Sequence, residues 1–487
     1  MSRGAIAGAI AAFALPAIAY VAGASFEPAS WDTAELQGVP YILGIAHPTG
    51  FPLYVLLGWA WSHAFVFGTI AWRMNAMSGV AIAVAAVAAY GVALEFGASP
   101  LVALLSTLWF AFTQNVFAHA IRAEAQDLAV ACCALAVYSA IRWMRGGGDR
   151  WFAAAFALCG LGMAAHPNAL WVLPALIVAA FVARRRPSLR LFAGSISLAA
   201  ACLALYLYLP LRSAAVVAAH LDPASALPGA GGGIFWNYND PRTWHGLMTE
   251  LTGSEFHTPS YLLASLNPVH VSAAIWTFVD GVHAQYGTFA TLLVFGGLVA
   301  AWRRDWRATL VLAIACTAGL LFSVVYPNES DVGRYRLLAS WIAVPLLGAL
   351  TPQSKGAEYA MLHGALALFL ATGAALAFHA QRGFFQHAAG EDGRWVINAV
   401  RSEAPRGSVI VTGWLDATSL AYGAYVDGSL PARIVVSDDK LRVDLYRRWA
   451  KQRPVFVLVN PHDVESLAGT HDYANLDAYH ELFQVEP

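Results

Sequence analysis

Apolar residues dominate the first three quarters of the chain in runs broken by short polar junctions. The runs cover 5–23, 51–70, 76–95, 99–118, 126–143, 151–165, 168–183, 191–211, 284–302, 308–325, 336–350 and 358–378. A bilayer core about 30 Å thick takes roughly 20 apolar residues per helix, so these runs predict membrane-crossing helices. After residue 390 the pattern changes. Val409-Ile410-Val411, Arg433-Ile434-Val435-Val436 and Val455-Phe456-Val457-Leu458-Val459 predict strands, alternating with helical stretches near 393–404, 417–426 and 441–451. That alternation predicts a small α/β layer with a parallel sheet. No internal repeat or low-complexity tract is evident.

Arginine placement orients the runs. Arg142/Arg145/Arg150, Arg184/Arg185/Arg186/Arg190 and Arg303/Arg304/Arg307 are basic junctions, which the positive-inside rule assigns to the cytoplasm. Residues 151–183 then go out and return through the turn His166-Pro167-Asn168. Residues 212–283 become a long outer loop, and the C-terminal part ends outside. With Arg3 inside, parity requires that one segment between 50 and 120 does not cross. Residues 51–70, with Gly50 before them and Pro52 and Gly58 within, are expected to form an interfacial or re-entrant helix; a short helical pair within 76–118 is the alternative. The expected fold is an α-helical polytopic membrane protein of about 11 transmembrane helices, inner N-terminus and outer C-terminus. It divides into residues 1–380, with outer loops 24–50 and 212–283, and an extracytoplasmic α/β domain over 381–487. Ala22-Gly23-Ala24 resembles a signal-peptide cleavage site, but the single basic residue Arg3 ahead of it favours a retained helix.

Composition agrees with this division. The chain is 58% hydrophobic and 12% charged, against about 25% charged in soluble domains, and 25 of its 59 formal charges follow residue 379. A net charge of −1 excludes a basic nucleic-acid-binding surface. The five cysteines lie in apolar runs without Cys-x-x-Cys spacing and read as small core residues. No His/Asp constellation has metal spacing, and no phosphate-binding loop of ATPase type is present.

The chemistry-bearing stretch follows the first run: Trp31-Asp32-Thr33-Ala34-Glu35-Leu36, then Gly44-Ile45-Ala46-His47-Pro48-Thr49-Gly50-Phe51-Pro52-Leu53-Tyr54. Carboxylates three residues apart share a face if the segment is helical, and a partly buried carboxylate can act as general base on a hydroxyl. This pattern resembles the signature of a family of bacterial multispanning proteins whose vertebrate relative is a transmembrane protein O-mannosyltransferase acting on plexin-type receptor domains. The family in turn is similar to the GT-C superfamily, whose members use polyprenyl-phosphate sugars and a carboxylate in the first outer loop. Trp72-Arg73-x-Asn75, Ala120-Ile121-Arg122-Ala123-Glu124-Ala125-Gln126, Tyr208-Leu209-Pro210-Leu211-Arg212 and Trp236-Asn237-Tyr238-Asn239-Asp240-Pro241 fit the same family less specifically. The family pattern Gly-Asp-Ser-Gly-Glu appears here as Trp31-Asp32-Thr33-Ala34-Glu35, so the acids persist and the glycines do not.

The resemblance implies a membrane glycosyltransferase. It would move a sugar, mannose above all, from a polyprenyl-phosphate donor to a protein or glycan acceptor outside a bacterial cytoplasmic membrane. It implies Asp32 as base and Glu35 as alternative base or orienting partner. The leaving phosphate calls for fixed cationic donors; Arg212, Arg334 and Arg336 stand next to outer helix ends, with His47 and His166 in support. Arg122 and Glu124 belong to the resembling stretch, Asp127 extends it as an acidic pair, and Asn168 is a candidate sugar contact. Trp59, Trp61 and Phe65 are candidates for one wall of a prenyl groove. Neither metal nor other cofactor is expected. A secondary transporter predicts broken, charged midplane helices and repeated halves, neither evident here; a non-catalytic scaffold would tolerate joint loss of Asp32 and Glu35.

Overall fold

The computed structural model describes residues 2–230, 233–256, 267–325, 332–353, 356–385, 391–460 and 470–487. Residues 231–232 and 257–266 of the expected outer loop, and 386–390 and 461–469 of the expected C-terminal domain, lie outside them. The chain divides into two compact units, each discontinuous in sequence. One comprises Met1–Gly23, Ser78–Leu205 and His257–His387; the other comprises Ala24–Met77, Tyr206–Phe256 and Ala388–Pro487.

The first unit is helical. Among the described residues of the whole chain, six helices are long and apolar enough to cross a membrane: Arg3–Gly23, Ile70–Glu95, Ala125–Met144, Leu189–Ala218, Pro268–Thr317 and Ala357–Phe385. Pro100–Phe112 and Gln114–Ala120 meet at 69° and make a seventh if counted together. The runs at 151–165, 168–183 and 336–350 form shorter pieces, Asp149–Ala165, Pro167–Val182, Leu337–Trp341 and Ala343–Gly348. Eleven crossings would therefore require these shorter pieces to span as well. The helical run Pro268–Val325 leaves helical geometry at Gly287 and Asp305, and the second break falls inside the basic junction Arg303/Arg304/Arg307. Packing uses small residues, as expected where lipid removes the hydrophobic drive between helices. A Cβ on Gly160 would lie 2.4 Å from the Ala199 carbonyl, and one on Gly297 would lie 2.1 Å from that of Leu346.

All three basic junctions gather at one end of this unit. Arg142 pairs with Glu95 at 2.9 Å, Arg145 with Asp305 at 3.2 Å and Arg185 with Asp149 at 2.5 Å. Arg304 donates to the carbonyls of Phe96 and Thr351. Glu124 caps the other end of Ala125–Met144, about 30 Å away at 1.5 Å per residue.

The second unit is built on a five-stranded sheet in the order β2-β1-β3-β5-β4, with β1 Val409–Thr412, β2 Ile434–Ser437, β3 Val455–Val459, β4 Thr470–Asn475 and β5 Glu481–Val485. β1 pairs in parallel with β2 and β3, as the alternation predicts. β5 runs antiparallel to β3 and to β4, so the sheet is mixed. β4 and β5 both escaped the sequence reading; the polar, half-exposed edge strand Thr-His-Asp-Tyr-Ala-Asn carries none of the apolar pattern that marks the parallel strands. Two of the three segments of the unit share one core: Ala224 and Leu227 pack with Val409, Val455, Tyr446 and Trp449, and the Trp449 indole donates to the Pro228 carbonyl at 3.0 Å. Pro52–Ala64 is a 13-residue helix of this unit, about 20 Å long, too short to span a bilayer.

Candidate functional site

Helix Trp31–Gly38 carries Asp32 in its first turn, where the positive end of the helix favours a carboxylate. The helix opens and its following loop runs on strained backbone: Trp31 at the helix start and Leu43 and Phe51 in the loop have φ of 55°, 51° and 44°, a left-handed region costing roughly 1 kcal/mol or more for a side-chain-bearing residue. Compensation comes from Tyr206–Phe256. Arg212 donates to the carbonyls of Leu43 (2.5 Å) and Ile42 (3.2 Å), Tyr208 donates to that of Gly44 (2.8 Å), and Ile45 N–H donates to the Phe235 carbonyl (3.0 Å). Gly44 allows that last approach, since a Cβ there would sit 1.8 Å from the Phe235 oxygen.

The loop returns His47 onto the acids. Its backbone N–H donates to Glu35 Oε1 at 2.9 Å and its ring Nδ1 hydrogen bonds Glu35 Oε2. On the other side of the ring, Nε2 lies 4.0 Å from Asp32 Oδ2. Asp32 Oδ1 accepts the Trp414 indole N–H at 2.9 Å. Glu35 is fully buried, whereas the Asp32 side chain is 24% exposed. Glu35 therefore holds the imidazole, and Asp32 is the acid of the pair that solvent reaches. Phe51, Phe256 and Trp414 set their rings edge-on to the His47 ring, with Tyr238 against Trp414.

A third acid, Glu250, completes the group. Asn239 donates to its Oε1 at 3.2 Å, and its buried Oε2 has no hydrogen-bond partner among the described residues. Burial opposes charge on His47, but Glu35, Asp32 and Glu250 together outweigh it and push the imidazole up to about 9. Burial raises Glu250 to about 9, against the pull of His47 and Asn239. The direction for both groups is toward the protonated form, His47 drawn there by the acids around it and Glu250 by its burial. Glu250 and Trp414 were absent from the sequence reading, and Asn239 stood there only as part of the Trp236–Pro241 motif. The one available signal was an acid on the buried face of a short amphipathic helix, Trp244–Thr252, shared with Gly246 and Thr249.

The other candidates are placed as follows. Arg212 is in the same unit, with its guanidinium engaged on loop carbonyls. Arg122, Glu124, Arg334, Arg336, His166 and Asn168 belong to the helical unit. There Glu124 receives Arg122 and Arg334, each at 3.3 Å, and Ser78 Oγ accepts the Glu124 backbone N–H. Arg122 also approaches His119 Nδ1 at 2.8 Å. Asp127 is buried one turn along the helix. Arg336 lines a cavity of about 350 Å³ with Gln114, Asn115, Gln285 and Ser340. His166 accepts the Asn168 backbone N–H at 3.2 Å and so caps the turn. Asp240 is tied to Ser213 and Arg242 and acts as a loop staple. Among the described residues no three His, Cys, Asp or Glu side chains are arranged to hold a metal ion.

Comparison with known proteins finds similarity in sequence and in fold. The family profile of the protein O-mannosyl-transferase TMEM260 N-terminal domain matches residues 32–189, a stretch that begins at Asp32 and contains Glu35, His47, Arg122, Glu124, His166 and Asn168. The mouse protein O-mannosyl-transferase TMEM260 is 23% identical over 336 residues, 68% of this chain and 45% of that protein. The chain is related to the TMEM260 O-mannosyl-transferases. The Dictyostelium discoideum protein of the same name is 30% identical over 95 residues, 19% of this chain and 12% of that protein. The matches thus span less than half the length of these TMEM260 relatives. The fold is similar to that of ArnT from Cupriavidus metallidurans. The structure bound to undecaprenyl phosphate aligns with a TM-score of 0.57 over 97% of this chain and 98% of that one, at 12% identity. The apo structure gives 0.54 over the same shares, at 11% identity.

Proposed function

We propose that the protein is a membrane glycosyltransferase of GT-C type that transfers a sugar, mannose, from a polyprenyl phosphate to a hydroxyl of a protein or glycan acceptor. The proposal places this chemistry on the extracytoplasmic side of a bacterial cytoplasmic membrane, with the N-terminus in the cytoplasm and residues 381–487 in the periplasm. The observation that carries it is the solvent-reached carboxylate of Asp32 beside a His47 anchored by buried Glu35. The likeness to TMEM260 and to an ArnT bound to undecaprenyl phosphate supports the substrate class.

In this reading Asp32 Oδ2 takes the proton of the acceptor hydroxyl as its oxygen attacks the sugar C1. The bond from C1 to the phosphate oxygen breaks with its electron pair, and polyprenyl phosphate leaves. His47 keeps a positive charge near Asp32 and Glu35 fixes its orientation. Arg122, Arg334 and Arg336 are the candidate donors to the leaving phosphate, which their planar forks suit; Arg212 instead holds the loop.

The test is transfer from synthetic polyprenyl-phosphate mannose by purified protein in detergent. General-base catalysis is worth roughly 10²–10⁴-fold, so Asp32→Asn is expected to lower kcat by that order with little change in KM. Glu35→Gln is expected to raise KM and lower kcat together through a mobile His47. Full activity in Asp32→Asn would sink the assignment of the base. Intact donor after incubation with the wild-type protein, across several sugars, would sink the transferase reading and favour transport or scaffolding.

A further inference from the structure

The Trp72-Arg73-x-Asn75 segment plays no part in the proposed chemistry, and its contacts show what it does. Helix Pro52–Ala64 ends in the tip Phe65-Val66-Phe67, whose side chains are 46%, 65% and 75% exposed. An exposed apolar tip ordinarily has hydrated backbone carbonyls. Here one guanidinium takes them up: Arg73 donates from Nε to Phe67 O (3.0 Å), from Nη1 to Ser62 O (2.9 Å), and from Nη2 to Val66 O (2.8 Å) and Gly68 O (3.1 Å). Its own carbonyl accepts the Trp61 indole N–H at 2.8 Å. The neighbours complete the frame. Trp72 stacks on Phe26, Thr69 Oγ1 donates to the Phe26 carbonyl, and Asn75 donates to Ser25 O while accepting from Gln37.

Three observations fix what covers this tip. Satisfying the carbonyls of an irregular turn from within is the requirement for backbone that enters hydrocarbon; in water it would bring little. Residues 36–72 contain no Asp, Glu, Lys or Arg, and the ion pairs of the described residues include none with Arg73, so the patch lacks the charged rim by which a protein partner is selected. Only Gly68 and Thr69 separate the tip from Ile70–Glu95, a helix long and apolar enough to cross a membrane. The tip therefore lies within about 10 Å of that helix's first residue. Trp59 and Trp61, on the last turns before the tip, are residues of the kind that settle at membrane interfaces.

We infer that Phe65-Val66-Phe67 is a lipid-inserting wedge whose backbone Arg73 seals, and that its occupant is the acyl region of the bilayer. The wedge gives the unit that carries Asp32 and His47 a lipid anchor of its own, within forty residues of both.

The test places the photocrosslinker p-benzoylphenylalanine at Phe67 in the full chain, reconstituted in phospholipid nanodiscs and irradiated. Intact-mass spectrometry is expected to show an adduct of one phospholipid. Arg73→Ala is expected to lower that yield several-fold, because bare carbonyls draw the tip into water, while the same crosslinker at Tyr473, on the polar edge strand, gives none. A crosslinked dimer would overturn the inference in favour of a second copy, and an unmodified chain would overturn it in favour of solvent. Neither result bears on sugar transfer, which is measured separately.

Discussion

His47 and Glu250 are expected to make folding stability fall under alkaline conditions. His47 rises from an ordinary 6.5 to about 9 and Glu250 from 4.5 to about 9, so in both cases the folded protein holds protons that the unfolded chain releases. Stability from these groups is complete below their unfolded values and is lost as pH rises through 9. Thermal unfolding in detergent is expected to show a lower Tm at pH 9.5 than at pH 6, and Glu250→Gln is expected to flatten that dependence. An unchanged slope in the variant would show that the site does not hold these protons. The acids and the histidine were legible because Asp32 and Glu35 stand one helical turn apart and a Pro/Gly turn returns His47 to them. Glu250 and Trp414 were not, since each comes from a segment far along the chain and no local pattern joins them to the loop. Trp414→Phe, which removes the indole donor to Asp32 and keeps the ring, is expected to reduce kcat several-fold in the transfer assay with little change in Tm.

At the scale of elements, the 39–51 loop shows how a strained connection is kept. Its left-handed residues lie in a segment whose carbonyls are taken by Arg212 and Tyr208, so the loop is held by an element some 160 residues later. Gly44→Ala would press a Cβ onto the Phe235 carbonyl, and overpacking against backbone costs about 1–3 kcal/mol. A lower denaturation midpoint, with loss of activity tracking it, is the expected outcome; a midpoint equal to wild type would mean that the two strands of chain are not in register as described. Apolar periodicity anticipated the long helices and the three parallel strands because both bury continuous apolar faces. It overstated the others: the 336–350 run reads as one apolar stretch, yet it forms two short helices with Ile342 in helical geometry between them, and Pro345 has no N–H for the Trp341 carbonyl, which hydropathy does not register.

For the whole molecule, the boundary read at residue 380 marks a change of composition, while the compact unit beyond it also draws in Ala24–Met77 and Tyr206–Phe256. Charge density reveals where a chain becomes polar and is silent on which distant segments share its core. A fragment spanning 388–487 is accordingly expected to lack a cooperative unfolding transition and near-ultraviolet circular dichroism, since Leu227 and the Pro228 carbonyl that complete the Trp449 core are missing; a cooperative transition would show that the last hundred residues fold unaided. The hydrogen bond from Trp414 to Asp32 joins residues 382 positions apart. During synthesis the acid therefore emerges long before the side chain that donates to it, and a ribosome that stops early releases a chain whose Asp32 lacks that partner. Only completion of the polypeptide supplies the indole, and prematurely terminated copies keep Asp32 without its donor.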